Sequence, residues 1–294
     1  MWNRLVAVVK GSIASVLLTI NVLVIFSAMI PLALLKLVLP LQGVRKLCDQ
    51  LLNALAQTWV RCNGLWIALV QRVHWDVSGL DNLKRRGWYL VSSNHQSWVD
   101  ILVLQKVFSS KIPFLKFFLK RELLYVPVMG LAWWALDFPF MRRQGDKRSM
   151  GKDMAETRKS CERFKLIPTS VINFMEGTRF SADKHAEQKS PYRNLLRPKL
   201  GGMTMALATM GDTFDSMLDV TIVYPRGVPT FWDLLSGKVR DVIVRVKEVQ
   251  IPSDLRVGER ALERDFRNHL QSWVGEMWAE KDRYIDELKA SFKR

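Results

Sequence analysis

Cysteine is scarce in this sequence of 294 residues, and its pattern excludes two kinds of site. The three cysteines, Cys48, Cys62 and Cys161, lie far apart and form no Cys-x-x-Cys pair. Neither a disulfide framework nor a zinc site is therefore predicted, since both need paired or closely spaced cysteines. We expect three buried thiols in a reducing, cytosolic setting.

Histidine is also rare, and the chain lacks internal repeats and low-complexity segments. The four histidines are His74, His95, His185 and His269, and they show no metal-ligand spacing. This argues against a metal-dependent hydrolase in which His95 and Asp100 would be ligands, so we predict no metal. Without repeats, the length suits one large domain behind an N-terminal segment.

Acidic residues are too few to balance the basic ones. The 28 Asp and Glu stand against 44 Lys and Arg, which gives a net charge of +16. Such a field favours nucleic acid, an anionic membrane surface or phosphorylated substrates, and the charge alone does not choose among them. A non-catalytic protein that binds membrane surfaces or nucleic acid is therefore one alternative.

Charged residues are absent from Gly11 to Leu35. As a helix this segment would rise about 37 Å, at about 1.5 Å per residue, and the hydrocarbon layer of a bilayer is about 30 Å thick. We predict an uncleaved membrane anchor, because Pro31, Lys36 and further leucines follow instead of a cleavage site. A single span and a re-entrant hairpin bent at Pro31 both fit, and a buried core helix is the alternative.

A second helix is predicted from Val44 to Leu69, with one apolar face that packs on the core or lies along the bilayer. We therefore divide the chain into an anchor with an amphipathic helix, residues 1–70, and a catalytic domain, residues 71–294. The apolar residues of this face recur every three or four positions: Val44, Leu47, Leu51, Leu55, Trp59, Cys62, Trp66 and Leu69.

The remaining pattern is of short strands that alternate with helices, and it predicts an α/β fold with a mixed, mostly parallel sheet flanked by helices. An amphipathic helix is predicted from Glu259 to Phe292. Leu123 to Met141 is apolar but interrupted by Asp137 and by prolines, so we do not predict a second span. The predicted strands are Val73–Val77, Trp88–Ser92, Ser170–Met175, Val220–Tyr224 and Val242–Val249, with a helix near Val99–Val107.

A polar turn follows the second of these strands and holds His95, with Asp100 five residues later on the next helix. The carboxylate is close enough to accept a hydrogen bond from the imidazole ring, which leaves the other ring nitrogen to take a proton from a hydroxyl. The stretch from Ser97 to Asp100 also matches a helix-capping box, which explains the spacing about equally well.

A second polar cluster, Glu176-Gly177-Thr178-Arg179, follows the strand Ser170–Met175. It supplies an arginine suited to phosphate, although a turn with a solvated ion pair is the simpler explanation of the cluster alone. Two strand-end clusters from distant parts of the chain can converge on one site, and a catalytic function accounts for both.

These blocks resemble the motifs of the glycerolipid acyltransferases, the family of lysophosphatidate acyltransferase. Asn94-His95 with Asp100 resembles the first motif, and Glu176 to Arg179 the third. The longer runs are similar to a bacterial branch related to lysocardiolipin acyltransferase. The second motif is matched by Lys120-Arg121-Glu122-Leu123 and Phe140-Met141-Arg142-Arg143, and the fourth by Val223-Tyr224-Pro225.

The resemblance implies a role for each matching residue. His95 would be the general base and Asp100 would orient it. Glu176, Gly177, Thr178 and Arg179, helped by Lys120 and Arg143, would bind the acceptor. The segment from Ser181 to Leu196 is longer than in shorter members of the family, which leaves the choice of acceptor open.

The reaction implied by the resemblance is transfer of a fatty acyl chain from acyl-CoA or acyl carrier protein to a free hydroxyl of lysophosphatidate (1-acyl-sn-glycerol-3-phosphate), in phospholipid biosynthesis or remodelling. Another lysophospholipid is the alternative acceptor. The expected partners are the lysophospholipid, the acyl thioester and an anionic membrane surface, with no nucleic acid and no cofactor. We expect a bacterial inner-membrane protein whose catalytic domain faces the cytoplasm.

Overall fold

The computed structural model describes residues 2–39, 41–70, 72–117, 119–138, 140–141, 168–256 and 263–292. Arg143 and Cys161 lie outside these residues, as do the first residues of the predicted C-terminal helix. Cys48 is buried and Cys62 is half-buried, and both are free thiols.

Eight strands form two sheets. They are β1 His74–Ser78, β2 Tyr89–Ser93, β3 Leu115–Phe117, β4 Leu119–Lys120, β5 Phe140–Met141, β6 Ser170–Phe174, β7 Ser216–Val223 and β8 Asp241–Val249. The main sheet has the order β1-β8-β7-β2-β6-β3, and every neighbouring pair is parallel except β7 with β8. Strands β4 and β5 form a separate parallel pair. The mixed, mostly parallel sheet predicted from the sequence is confirmed.

Eight α-helices are described, with two 3₁₀ helices at Arg121–Tyr125 and Ser253–Leu255. The α-helices are α1 Trp2–Val38, α2 Gln42–Val70, α3 Val99–Phe108, α4 Met129–Ala135, α5 Ala182–Glu187, α6 Gly201–Met210, α7 Phe231–Leu235 and α8 Arg264–Phe292. Helices cover both faces of the sheet, because residues of its central strands alternate between two buried clusters. Val91 of β2 packs with α3 and the end of α2, whereas Leu90 packs with α6 and α8.

Helices α1 and α2 form an antiparallel pair. Lys36 near the end of α1 meets Asp49 near the start of α2, and Asn21 bonds Asn63 farther along both helices. The chain therefore reverses direction between Val38 and Gln42. Helix α1 continues through Pro31, so the hairpin bend is not at that proline.

Helix α1 also contacts the rest of the chain at two places beyond this pairing. Near its start, a Cβ added to Gly11 would lie 2.6 Å from the ring of Trp232 in α7, which explains why this position has no side chain. Near its end, Phe26, Met29 and Ala33 pack with α2 and α4. Among the described residues, one helix is long and apolar enough to cross a membrane. It is α1, over Arg4–Val38.

The predicted apolar face of α2 is wrong in part. The buried stripe is shifted by about one residue and consists of Cys48, Leu52, Ala56, Val60, Asn63, Trp66 and Ile67. Leu47, Leu51, Leu65 and Leu69 are exposed. The apolar residues span more of the helix than one contact can cover, so one edge packs against α1 and the sheet while the other remains uncovered. Among the described residues from Leu123 to Met141, the structure has the end of a short 3₁₀ helix, the seven-residue α4 and strand β5, and no helix long enough to span a membrane.

Candidate active site

His95 and Asp100 form a buried hydrogen-bonded pair where β2 passes into α3. Nδ1 of His95 lies 2.8 Å from Oδ2 of Asp100. His95 is 9% exposed and Asp100 is fully buried. A carboxylate at Nδ1 fixes the neutral ring with its proton on that nitrogen, so Nε2 is the basic nitrogen. The pair has the arrangement of a general base and the group that orients it.

The Asp100 carboxylate also holds the turn. Oδ2 accepts hydrogen bonds from the backbone amides of Gln96, at 2.6 Å, and Ser97, at 2.8 Å. The Ser97 hydroxyl accepts from the Val99 amide and donates to the carbonyl of Pro229. Half of the predicted capping box is therefore present, and the same carboxylate serves both as a turn acceptor and as the partner of His95.

Two further residues fix this turn against β7. The side chain of Asn94 donates to the carbonyl of Ile222 at 2.9 Å and accepts from its amide at 2.8 Å, so it continues the ladder past the end of β2. The ring of Phe174, at the end of β6, stacks on the His95 imidazole with centroids 3.9 Å apart. Phe174 thus restrains the face of the imidazole ring, and Asp100 restrains its edge at Nδ1.

Glu176 joins the second strand-end cluster to the first. Its carboxylate accepts from the backbone amide of His95 at 2.7 Å and from that of Leu196 at 3.0 Å. Burial raises the pKa of Glu176 to about 7, and the two amide hydrogen bonds and the charge of Lys281 offset only part of this effect. The resemblance implies acceptor binding for this residue, whereas in the structure its fully buried carboxylate is engaged by backbone amides.

The next three residues complete the turn. Gly177 has φ of +65°, a left-handed conformation, and an added Cβ would lie 3.0 Å from Cδ of Lys199. Thr178 accepts a hydrogen bond from Nζ of Lys184. The exposed Arg179 places its guanidinium carbon 4.8 Å from the ring centre of Trp98. Convergence of the two clusters follows from the parallel pairing of β2 with β6, in which Ser93 is opposite Phe174.

The basic residues of the second motif are less completely described. Lys120 lies in β4, where its backbone is in register with Met141 of β5. Arg143 is outside the described residues. Among the residues that the structure does describe, no group of three or more His, Cys, Asp or Glu side chains is arranged to hold a metal ion.

The C-terminal helix α8 contacts β7 and the segment that ends at Leu196. The sequence pattern did not predict these contacts. Lys281 of α8 is buried, pairs with Asp219 at 2.7 Å and donates to the carbonyl of Val220 at 2.6 Å. Trp278 donates to the carbonyl of Leu196, whose amide binds Glu176. The sequence pattern shows the apolar face of this helix, but a lysine among many charged residues gives no signal of burial.

The site lies at the carboxyl ends of the parallel strands of an α/β sheet. It combines a His–Asp base with an exposed arginine that follows the neighbouring strand, and such a site is suited to group transfer onto a hydroxyl. The family model described as Acyltransferase matches residues 74–225, just over half of the chain. The chain belongs to the acyltransferase family, and the resemblance inferred from the motifs is confirmed.

Individual relatives agree with this assignment. Lysocardiolipin acyltransferase 1 of Danio rerio is 29% identical over 194 residues, which cover 61% of this chain and 46% of that protein. The 1-acyl-sn-glycerol-3-phosphate acyltransferase 3 of Arabidopsis thaliana is 27% identical over 177 residues, or 54% of this chain and 44% of that protein. The chain therefore matches less than half the length of either relative.

A solved structure supports the fold along nearly the whole chain. It is the crystal structure of the 1-acyl-sn-glycerophosphate (LPA) acyltransferase, PlsC, from Thermotoga maritima. The likeness covers 95% of this chain and 98% of that one, with a TM-score of 0.51 and 21% sequence identity.

Proposed function

We propose that the protein transfers a fatty acyl chain from an acyl thioester to a free hydroxyl of lysophosphatidate. The observation that carries the proposal is the contact between Nδ1 of His95 and the Asp100 carboxylate, because it makes Nε2 a base at the open end of the sheet. The curated relatives named 1-acyl-sn-glycerol-3-phosphate acyltransferase support this acceptor. A different lysophospholipid, such as lysocardiolipin, is the second candidate because of the zebrafish relative.

The reaction needs no acyl-enzyme. Nε2 of His95 removes the proton of the acceptor hydroxyl as its oxygen attacks the thioester carbonyl carbon, and Asp100 stabilises the imidazolium that forms. The tetrahedral intermediate then collapses with cleavage of the C–S bond. The imidazolium returns its proton to the departing thiolate, which leaves as a free thiol and restores neutral His95. Either acyl-CoA or acyl carrier protein supplies the thioester, and no cofactor enters the balance.

The acceptor phosphate binds at the side of the site formed by the turn after β6. Arg179 is exposed there and offers a planar fork of donors that matches a phosphate. We assign Lys120 and Arg143 as further phosphate ligands, with Gly177 and Thr178 shaping the turn. Glu176 is better assigned to positioning, since its two oxygens hold the backbone of His95 and Leu196.

Helix α1 anchors the protein to the bacterial inner membrane, with the catalytic domain, residues 71–294, facing the cytoplasm. Only 17% of the apolar window of α1 is buried within the protein, and the exposed edge of α2 adds further leucines. The net charge of +16 favours an anionic leaflet. Both substrates carry acyl chains, so attachment brings the site to the place where those chains are.

One assay tests the proposal. Purified protein is incubated with labelled acyl-CoA or acyl carrier protein and a panel of lysophosphatidate, lysocardiolipin, other lysophospholipids and glycerol phosphate. We expect the highest kcat/KM with lysophosphatidate, and a loss of about 10²- to 10⁴-fold for His95→Ala. Absence of transfer to every acceptor, or full activity of His95→Ala, would contradict the proposal. A preference for lysocardiolipin would support the second candidate.

A further inference from the structure

Three contacts restrain Arg179 and the residue after it, and two of them are with the turn that holds His95. Its guanidinium lies over the ring of Trp98, three residues after His95, with 4.8 Å between the guanidinium carbon and the ring centre. The backbone amide that follows it, of Phe180, donates to the carbonyl of His95 at 2.7 Å. Its own carbonyl accepts a hydrogen bond of 3.1 Å from Nζ of Lys184. An exposed arginine would normally sample many rotamers, and here side chain and backbone are both restrained.

We propose that Trp98 and Lys184 are positioning residues for Arg179. Trp98 holds the guanidinium and Lys184 holds the backbone, so that an acceptor phosphate is bound at a set distance from Nε2 of His95. The inference rests on the proposed function and deepens it. It assigns the site to acceptors in which an anionic phosphate lies close to the reacting hydroxyl.

One aromatic ring cannot occupy all the donors of Arg179. A guanidinium carries five N–H donors in a planar fork, and its contact with Trp98 is that of a cation over a ring. These donors are the ones that bind two oxygens of a phosphate at once. Trp98 is 55% exposed, so most of its ring is not used to fill the core. The contact with Arg179 gives this exposed aromatic residue a function.

Lys184 brings the long segment after the third motif into the site. Its ammonium donates to Oγ1 of Thr178 at 2.8 Å as well as to the Arg179 carbonyl. At the other end of the same segment, the Leu196 amide binds Glu176. Both ends of the segment from Ser181 to Leu196 are therefore attached to the turn that carries Arg179. The segment that departs from shorter family members is part of the acceptor site.

A double-mutant cycle tests the role of Trp98. In the full-length enzyme, Trp98→Leu should raise the KM for lysophosphatidate about 3- to 10-fold and change kcat less than about twofold, since the contact is a cation–π pair. Trp98→Phe keeps an aromatic face and should recover part of the loss. In the Arg179→Ala background, Trp98→Leu should change KM less than about twofold, because the residue through which it acts is gone.

Lys184→Met should likewise raise the KM for lysophosphatidate in the parent enzyme and not in the Arg179→Ala background. Lys189→Met is the control: it removes the same charge at an exposed position of the same segment and should leave KM unchanged. Sedimentation with vesicles of phosphatidylglycerol and phosphatidylethanolamine gives the control for membrane insertion. An equal Trp98→Leu effect in both backgrounds, or reduced vesicle binding by Trp98→Leu, overturns the inference. If the parent transfers no acyl chain to any acceptor, the proposed function fails instead.

Discussion

The hydroxyl of Tyr224 donates a hydrogen bond of 2.6 Å to Oδ1 of Asp100, the carboxylate oxygen that does not face His95. Tyr224 follows the last residue of β7, and β7 lies beside β2 in parallel. Burial, together with the adjacent Asp100 carboxylate, holds the pKa of the Tyr224 phenol well above its usual range, so the hydroxyl stays protonated and remains a donor. Three neighbouring strands, β6, β2 and β7, thus each supply one part of the site.

Tyr224→Phe should lower kcat by about tenfold while the protein remains folded, because the ring is kept and one charge-assisted hydrogen bond is lost. Without that donor the Asp100 carboxylate loses its hydrogen bond at Oδ1 and holds the His95 ring less firmly. Steady-state kinetics measure the loss of kcat, and circular dichroism checks that the variant is folded. Tyr125→Phe, at an exposed position, is the control, and an unchanged kcat in Tyr224→Phe would contradict the assignment.

Glu176 should make stability depend on pH. Its pKa rises from 4.5 to about 7 on folding because burial disfavours the carboxylate. The folded protein therefore binds this proton more tightly, and the stabilising contribution is full below pH 4.5 and lost as pH rises through about 7. Urea unfolding across this range should show a decline of up to about 3 kcal/mol that is absent in Glu176→Gln. The exposed Glu122→Gln should retain it, and equal slopes in all three proteins would refute the prediction.

Lys281→Met should destabilise the protein by about 3–5 kcal/mol, because Asp219 would keep a buried charge without its partner. The free energy of unfolding measures this loss. Changing both residues, Lys281→Met with Asp219→Asn, should restore much of the stability, since neither charge is then left alone. A double variant as unstable as the single one would show that the hydrogen bond from Lys281 to Val220, rather than the ion pair, dominates.

The two sides of α2 should respond differently to substitution. Leu65→Ser with Leu69→Ser, on the exposed edge, should weaken sedimentation with vesicles and leave the free energy of unfolding within about 0.5 kcal/mol of the parent. Leu52→Ala, on the buried stripe, should cost about 2–5 kcal/mol and leave vesicle binding unchanged. Identical vesicle binding by the serine variant and the parent would argue that this edge does not contact lipid.

Regular elements were predictable wherever the chain has a clear apolar run or apolar residues at helical spacing. The charge-free run of α1, the helical spacing in α2 and α8 and the apolar strands around Val91 and Val244 satisfy this condition. Strand β3 has only three residues and β4 and β5 have two each, so no period can be detected in them. The buried stripe of α2 was misplaced because its sequence shows which residues are apolar but not which of them meet α1.

Within the site, the contact of His95 with Asp100 was predictable because it is local, five residues apart and across one helix start. The contact of Glu176 with the His95 amide spans 81 positions and depends on the pairing of β2 with β6. Tyr224 reaches Asp100 only because β7 lies on the other side of β2. Such relationships follow from the order of strands in the sheet, which the sequence pattern does not specify.

The close approach of Gly11 to Trp232 has a consequence for the geometry of the reaction at a membrane. Trp232 belongs to α7, which begins two residues after Pro229, and the Pro229 carbonyl accepts from Ser97 in the catalytic turn. Helix α1 and the turn that holds His95 are therefore connected through short, packed contacts. If α1 lies in the bilayer, these contacts set the height of Nε2 of His95, the proposed base, above the lipid. The proposed lysophospholipid acceptor must then present its hydroxyl at that height, and a lipid whose free hydroxyl lies deeper or farther out does not reach the base.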